Sequence, residues 1–241
     1  MSGWDILVLD RSASMIHNIE QIKTGFTDMV KEQKEQGSTN RFTVVGFNTD
    51  IEIMRDESFP DVSDLSKHEI YTRGMTSLLD AIGTVYDMIL ENSESNDVII
   101  TVITDGLENA SKKYTFDALD AKKKELDQNN NIRLVFIGAD IDCLKNNVLL
   151  PHVSQSVNVN GNMLQAMRTA SRTMSSQREN IDYIPEGTVD IPKDAPQDVS
   201  TNSRTPILRR TCSNPPPMPK RQASVAAIPP PVAKCGRFCN I

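Results

Sequence analysis

Asp5-Ile6-Leu7-Val8-Leu9 runs straight into Asp10-Arg11-Ser12-Ala13-Ser14, and the fold turns on this stretch. A short, continuous apolar run is the mark of a strand buried on both faces, as in a parallel sheet covered by helices. The oxygen-rich segment that follows then lies at the carboxyl end of that strand, where open α/β sheets place their ligands.

Working outward, apolar residues Ile19, Ile22, Phe26, Met29 and Val30 recur at helical spacing between Met15 and about Gln36, and Gly37 supplies the stop. Phe42 to Phe47 reads as a second buried strand. Asn48-Thr49-Asp50 turns the chain into Ile51-Glu52-Ile53-Met54, whose alternation suggests an antiparallel partner at an edge. Ser77 through Leu90 carries one apolar helical stripe, and Val98-Ile99-Ile100-Thr101-Val102-Ile103 is the most central strand. An amphipathic helix from Thr115 to Gln128, a strand from Ile132 to Ile137, a further strand over Val153 to Val159 and a helix from Met163 to about Arg178 complete the series. Strands alternating with helices predict an α/β fold: a doubly wound, mostly parallel sheet with helices on both faces.

Composition divides the chain in two. Residues 1–180 hold 27 acids and 18 Lys/Arg, a net charge of −9, and are long enough for one sizeable core. Residues 181–241 hold 11 of the 13 prolines and a net charge of +3, and proline denies both helix and central strand. With little apolar surface to bury, this basic, proline-rich tail is expected to be disordered. No apolar run approaches the roughly 18 residues of a membrane span, and Met1-Ser2-Gly3-Trp4-Asp5 does not resemble a secretory signal. Four cysteines, unevenly placed, make no disulfide framework, so a reducing cytoplasm is the expected setting.

Three strand-end loops concentrate oxygen: Asp10-Arg11-Ser12-Ala13-Ser14, Gly74-Met75-Thr76 and Thr104-Asp105-Gly106. Ser12 and Ser14, two apart in a loop, are able to face the same way. With Thr76 they give three neutral hydroxyls, to which Asp10 and Asp105 add two carboxylates. Hard cations take oxygen ligands, roughly six for magnesium with some waters retained. Two carboxylates balance a divalent charge and leave coordination incomplete, so a carboxylate of another molecule is a natural last ligand. No histidine or cysteine stands nearby, which disfavours zinc. Each piece also has a plainer reading: Ser14 as a helix cap, Thr76 or Ser77 as a cap with Asp80 completing a capping box, Thr104-Asp105-Gly106 as a turn.

Taken together these residues resemble the von Willebrand factor type A domain and its metal-ion-dependent adhesion site, a D-x-S-x-S motif followed by a threonine and an aspartate on later loops. The resemblance spans about residues 4–178, and through "LDRSASM", "TRGMTSLLDAIG" and "ITDGLENAS" the chain is similar to stand-alone bacterial and phage proteins of this type. It implies that Ser12, Ser14 and Thr76 hold magnesium or manganese directly, that Asp10 and Asp105 act largely through bridging waters, and that the site grips an acidic residue of a protein partner.

Enzymatic activity is not expected. An aspartate nucleophile for phosphoryl transfer usually has a second acid two positions on, where Ser12 stands, and no nucleotide-cradling glycine motif follows the first strand. His17, His68 and His152 are dispersed. The alternatives are a metal-dependent hydrolase or phosphatase on the same loops, with His17, Glu108 or Asp140 as poor candidates for the base, and a scaffold whose metal is purely structural. The partner-facing rim is expected in Asp56–Arg73 and Leu107–Tyr114. In the tail, Pro216-Pro217-Met218-Pro219-Lys220-Arg221 fits a proline motif read by aromatic grooves, and Lys220-Arg221-Gln222-Ala223-Ser224 a basic-directed phosphorylation site. Both arise readily in such tails, and a solvated spacer is the favoured reading. The positive tail suits salt-sensitive contact with the acidic domain or an anionic surface, but no sequence-specific nucleic-acid recognition is expected.

Overall fold

A computed structural model describes residues 3–65, 69–92, 97–128, 130–138, 153–179, 185 and 187–189. His68, Asp140, His152, all four cysteines and residues 190–241 lie outside these residues, and with them the proline and phosphorylation motifs of the expected tail; 185 and 187–189 are the described part of it.

The chain runs β1 (Trp4–Asp10), α1 (Ile19–Glu35), β2 (Arg41–Phe47), β3 (Ile51–Ser58), α2 (Leu78–Glu91), β4 (Asp97–Thr104), α3 (Phe116–Leu126), β5 (Asn131–Gly138), β6 (Gln155–Asn158), α4 (Met163–Arg178) and β7 (Thr188–Val189). The strands form one seven-stranded sheet in the order β3-β2-β1-β4-β5-β6-β7. β1 pairs in parallel with β2 and β4, β4 with β5, and β5 with β6. The edge strands β3 and β7 are antiparallel. This is the doubly wound, mostly parallel α/β sheet that the sequence predicts, with β4 at its centre.

Alternation along β1 explains why both faces are covered. Leu7 and Leu9 pack into one core with Ile22, Phe26 and Met29 of α1 and Met163, Met167 and Met174 of α4. Trp4, Ile6 and Val8 enter the other, with Ile82, Val85 and Ile89 of α2 and Leu119 and Leu126 of α3. Every residue of β1 is buried, so a polar residue at its end is held in a low-dielectric setting. The chain leaves β1 toward β2 on one side and later returns to β4 on the other. The crevice at the carboxyl ends of β1 and β4 is therefore the switch point where such sheets bind ligands.

Three local departures from expectation have physical reasons. The helix predicted from Met15 begins instead as a 3-10 turn, Ala13–Asn18, and becomes α-helical at Ile19. Met15 is buried within that turn while Ile16 and His17 stay exposed. β3 extends to Ser58, well past the alternating stretch, because cross-strand polar pairs replace apolar ones: Arg41 donates to both carboxylate oxygens of Asp56 at 2.7 Å. β7 lies inside the segment 181–241 expected to be disordered, and it adds two residues antiparallel to β6, too short a pairing to announce itself in the sequence.

Candidate metal centre

Asp10 ends β1 and is fully buried. Its Oδ1 accepts the Ser12 backbone N–H at 2.6 Å, a two-residue loop that turns the chain off the strand, and its Oδ2 accepts the Thr104 hydroxyl at 2.5 Å from the end of β4. Thr104 Oγ1 also accepts the Gly106 N–H at 3.0 Å, so it ties the two strand ends together. Burial pushes the Asp10 carboxyl up to about 6, against the hydrogen bonds of Thr104 and Ser12, and the charge of Asp105 adds to the rise.

The hydroxyls meet the second carboxylate at the mouth. Ser12 Oγ and Ser14 Oγ lie 3.0 Å apart, and Ser14 Oγ donates to Asp105 Oδ1 at 2.6 Å. Ser12 is buried, Asp105 half-buried and Ser14 exposed, so the cluster opens to solvent on the Ser14–Asp105 side. Thr76 is buried from the third loop. A Cβ added at Gly106 would lie 3.1 Å from Thr76 Oγ1 and 3.8 Å from Asp10 Oδ2, so both side chains approach the Gly106 backbone. All five sequence-derived residues are thus brought to one edge of the sheet.

Capping does not account for these side chains. The 3-10 turn has Ser12 at its N-cap and α2 has Ser77, and neither makes a side-chain cap bond. Instead Glu108 and Ser111 satisfy the start of α2: Leu79 N–H donates to Glu108 Oε2 and Asp80 N–H to Ser111 Oγ, at 2.9 and 3.0 Å. Asp80 closes no capping box. It accepts the backbone N–H groups of Lys112, Lys113 and Tyr114 at 2.9 Å each, pinning the 107–114 loop.

The residues that hold the three loops in register escaped the sequence reading. Asn109 accepts the Thr76 N–H at 2.9 Å through its side chain and donates its own N–H to Thr76 O at 3.0 Å, fixing Thr76 from both sides. Arg11, between the two motif positions, is 1% exposed. It donates to Glu52 Oε2 at 2.8 Å and to Glu69 O at 3.0 Å, and its backbone bonds to Phe47 O at 2.6 Å and to Arg73 N–H at 3.0 Å. Gly46 makes room for it, since a Cβ there would lie 2.5 Å from Arg11 Nε. Gly74 turns at φ +71°, where its carbonyl accepts the Ala13 N–H at 3.2 Å and a Cβ would strike Thr49 Oγ1. The only sequence signal for these roles was a glycine facing a buried charge, which no periodicity reveals.

Residues 6–108 match the family model described as von Willebrand factor type A domain. The match ends just past Asp105 and so contains all five residues. No curated protein matches the chain. Among solved structures, the chain is similar to a point mutant of the PilB minor pilin from Streptococcus sanguinis, at 12% identity and TM-score 0.57 over 75% of this chain and 62% of that one. It is similar to the vWF domain of the type V pili tip protein Mfa5 from Porphyromonas gingivalis, at 11% identity and TM-score 0.52 over 77% and 98%. The pilus adhesin SpaC from Lactobacillus rhamnosus GG, in its open conformation, gives 12% identity and TM-score 0.51 over 73% and 30%. The chain therefore spans less than two thirds of the PilB and SpaC chains. Likeness at this identity establishes the fold. With the family match, residues 6–108 are similar to a von Willebrand factor type A domain, a kind of domain that is often a protein-interaction module.

Proposed function

We propose that this protein is a divalent-cation-dependent binding module in which Asp10, Ser12, Ser14, Thr76 and Asp105 hold magnesium or manganese and an acidic residue of a protein partner completes the site. The observation that carries this reading is the Ser12–Ser14–Asp105 chain of contacts above the buried Asp10. Among the described residues no three His, Cys, Asp or Glu gather as a metal site. A cluster of two carboxylates and three hydroxyls falls outside such a grouping, and its all-oxygen donors suit a hard cation. Two carboxylates match a divalent charge.

The residues divide the work by burial. Asp10 supplies charge from the floor and is itself held by Thr104. Ser12 is held through its N–H by the Asp10 carboxylate, and Thr76 on both sides by Asn109. Ser14 and Asp105 stand at the solvent side, where a partner arrives. When bound, the cation supplies an electrophilic position that accepts a carboxylate oxygen.

The hydrolase reading has less support. Glu108 accepts four hydrogen bonds, from Leu79 N–H, Ala110 N–H and the Ser111 N–H and hydroxyl, which makes it a loop anchor. His17 is exposed on the 3-10 turn. We therefore read the protein as non-enzymatic. Among the described residues no helix is long and apolar enough to cross a membrane, and the uneven cysteines support a reducing, cytoplasmic setting. Partner capture by the full chain in magnesium, in chelator and with Asp10→Ala tests the proposal. Capture lost in the latter two supports it, and capture indifferent to both contradicts it. Turnover of generic phosphoesters in manganese, lost in Asp10→Ala, would favour the hydrolase instead.

A further inference from the structure

Large exposed apolar side chains are rare on the described surface and gather at the candidate metal centre. They are Ile16, Ile53, Tyr71, Met75 and Leu107. Ile53 lies on the edge strand β3, and the other four lie in the loops of the site. Ile16 is two positions after Ser14, Met75 one before Thr76, and Leu107 two after Asp105. A Cα step is about 3.8 Å, so each stands within about 8 Å of a residue of the oxygen cluster, measured along the backbone. They are 56%, 52% and 43% exposed, from three different loops. The loops adjoin: Ala13 N–H bonds to Gly74 O, Asn109 N–H to Thr76 O, and Ser14 to Asp105. Single exposed apolar residues are ordinary on a surface, but a group that surrounds one polar centre marks a binding surface.

Charge narrows the occupant. Residues 1–180 carry a net charge of −9, which repels a strongly acidic partner at long range. The arginines of these loops already have acidic neighbours: Arg11 bonds to Glu52 at 2.8 Å and Arg73 lies 3.7 Å from Asp50. An apolar neighbour of the partner's acid would find Ile16, Met75 or Leu107 exposed beside the cluster.

We propose that Ile16, Met75 and Leu107 form an apolar rim that selects a partner segment with a single Asp or Glu flanked by bulky apolar residues. This rests on the metal-dependent reading above and names the class of partner. The acid supplies the central contact, and the flanks supply affinity by burying apolar surface that both sides otherwise expose to water. The preference rejects acid-rich segments, because extra carboxylates meet apolar side chains and a negative field.

The test uses the full chain with saturating magnesium or manganese and labelled, blocked pentapeptides. Each has one central glutamate flanked by leucines, serines, glycines or glutamates, and a fifth has glutamine between leucines. The leucine-flanked glutamate peptide is expected to bind at least about tenfold tighter than the serine- or glutamate-flanked ones, a difference of about 1.4 kcal/mol. Met75→Ser and Leu107→Ser should each erase most of that preference while calorimetric metal binding is unchanged. Metal-dependent binding of all glutamate peptides with no flank preference, or a preference untouched by both variants, overturns the rim and leaves the metal reading standing. Binding of leucine-flanked peptides that is indifferent to chelator and to glutamine replacement overturns the metal reading and this proposal with it. Self-association that Leu107→Ser abolishes would assign the rim to a second copy of the chain. No peptide binding up to millimolar concentration also counts against the proposal.

Discussion

The Ser14 hydroxyl donates to Asp105 Oδ1 at 2.6 Å across 91 positions of sequence. That contact joins the loop after β1 to the loop after β4 at the solvent side of the oxygen cluster. Asp10 and Thr104 make the matching contact beneath it, at 2.5 Å across 94 positions. The two layers differ in exposure, so substitutions in them should have separable effects.

Ser14 is exposed, and its loss should leave the fold almost untouched. Ser14→Ala is expected to change stability by no more than about 0.5 kcal/mol, the usual range for surface positions. Magnesium affinity should nevertheless fall by about tenfold or more, as a donor and its orienting bond to Asp105 are both removed. Thermal melts beside calorimetric titration check the split.

Burial raises the Asp10 carboxyl to about 6, and metal binding needs it ionised. Affinity for magnesium should therefore fall as pH drops from 7.5 through 6 to 5, with protons released on binding near the midpoint. Titrations in two buffers of different ionisation enthalpy at each pH measure that release. A flat profile across this range would show that the Asp10 proton is not linked to the cation.

Asp5, at the opposite end of β1, offers a stability test free of the site. Burial lifts its carboxyl from 3.8 to about 7, against the hydrogen bond from Asn40 and the charge of Arg178. The folded state then holds a proton that the unfolded state has lost between about pH 4 and 7. Asp5 thus contributes a loss of stability as pH rises through that window. Asp5→Asn should flatten this part of the stability curve, read as denaturation midpoints from pH 5 to 8. An unchanged slope would count against the assignment.

Gly46 faces the buried Arg11, and an alanine Cβ there would lie 2.5 Å from Arg11 Nε and 2.6 Å from Met54 Sδ. Gly46→Ala should destabilise the protein by about 1–3 kcal/mol through overpacking. Because Arg11 ties Glu52 and Glu69 to the D-x-S-x-S loop, metal affinity should drop as well. Wild-type stability would mean that the guanidinium moves aside without cost.

The alternation of strands and helices was legible because buried strands announce themselves as apolar runs, and β1, β2, β4 and β5 are all of this kind. The candidate site was legible for the same reason, since Asp10 and Asp105 stand where two of those runs stop. Contacts that obey no period were not. Thr104 reads with Asp105 and Gly106 as a strand-end loop, yet it braces Asp10, and Asn109 falls in the expected partner-facing rim, yet it brackets Thr76. Glu108 drew attention as an acid near the site, and only its four acceptor contacts reveal an anchor of the α2 start. The second half of β3 was hidden because the pairs Arg41–Asp56 and Arg55–Glu69 hold that region with charge in place of apolar alternation.

The central claim is that the three loops bind a divalent cation, and calorimetry of magnesium and manganese on the full chain tests it most directly, beside Asp10→Ala and Thr76→Ala. The account predicts saturable one-site binding in the wild type that both substitutions abolish, with circular dichroism unchanged. Absence of binding in the wild type, together with partner capture that ignores chelator, would contradict it.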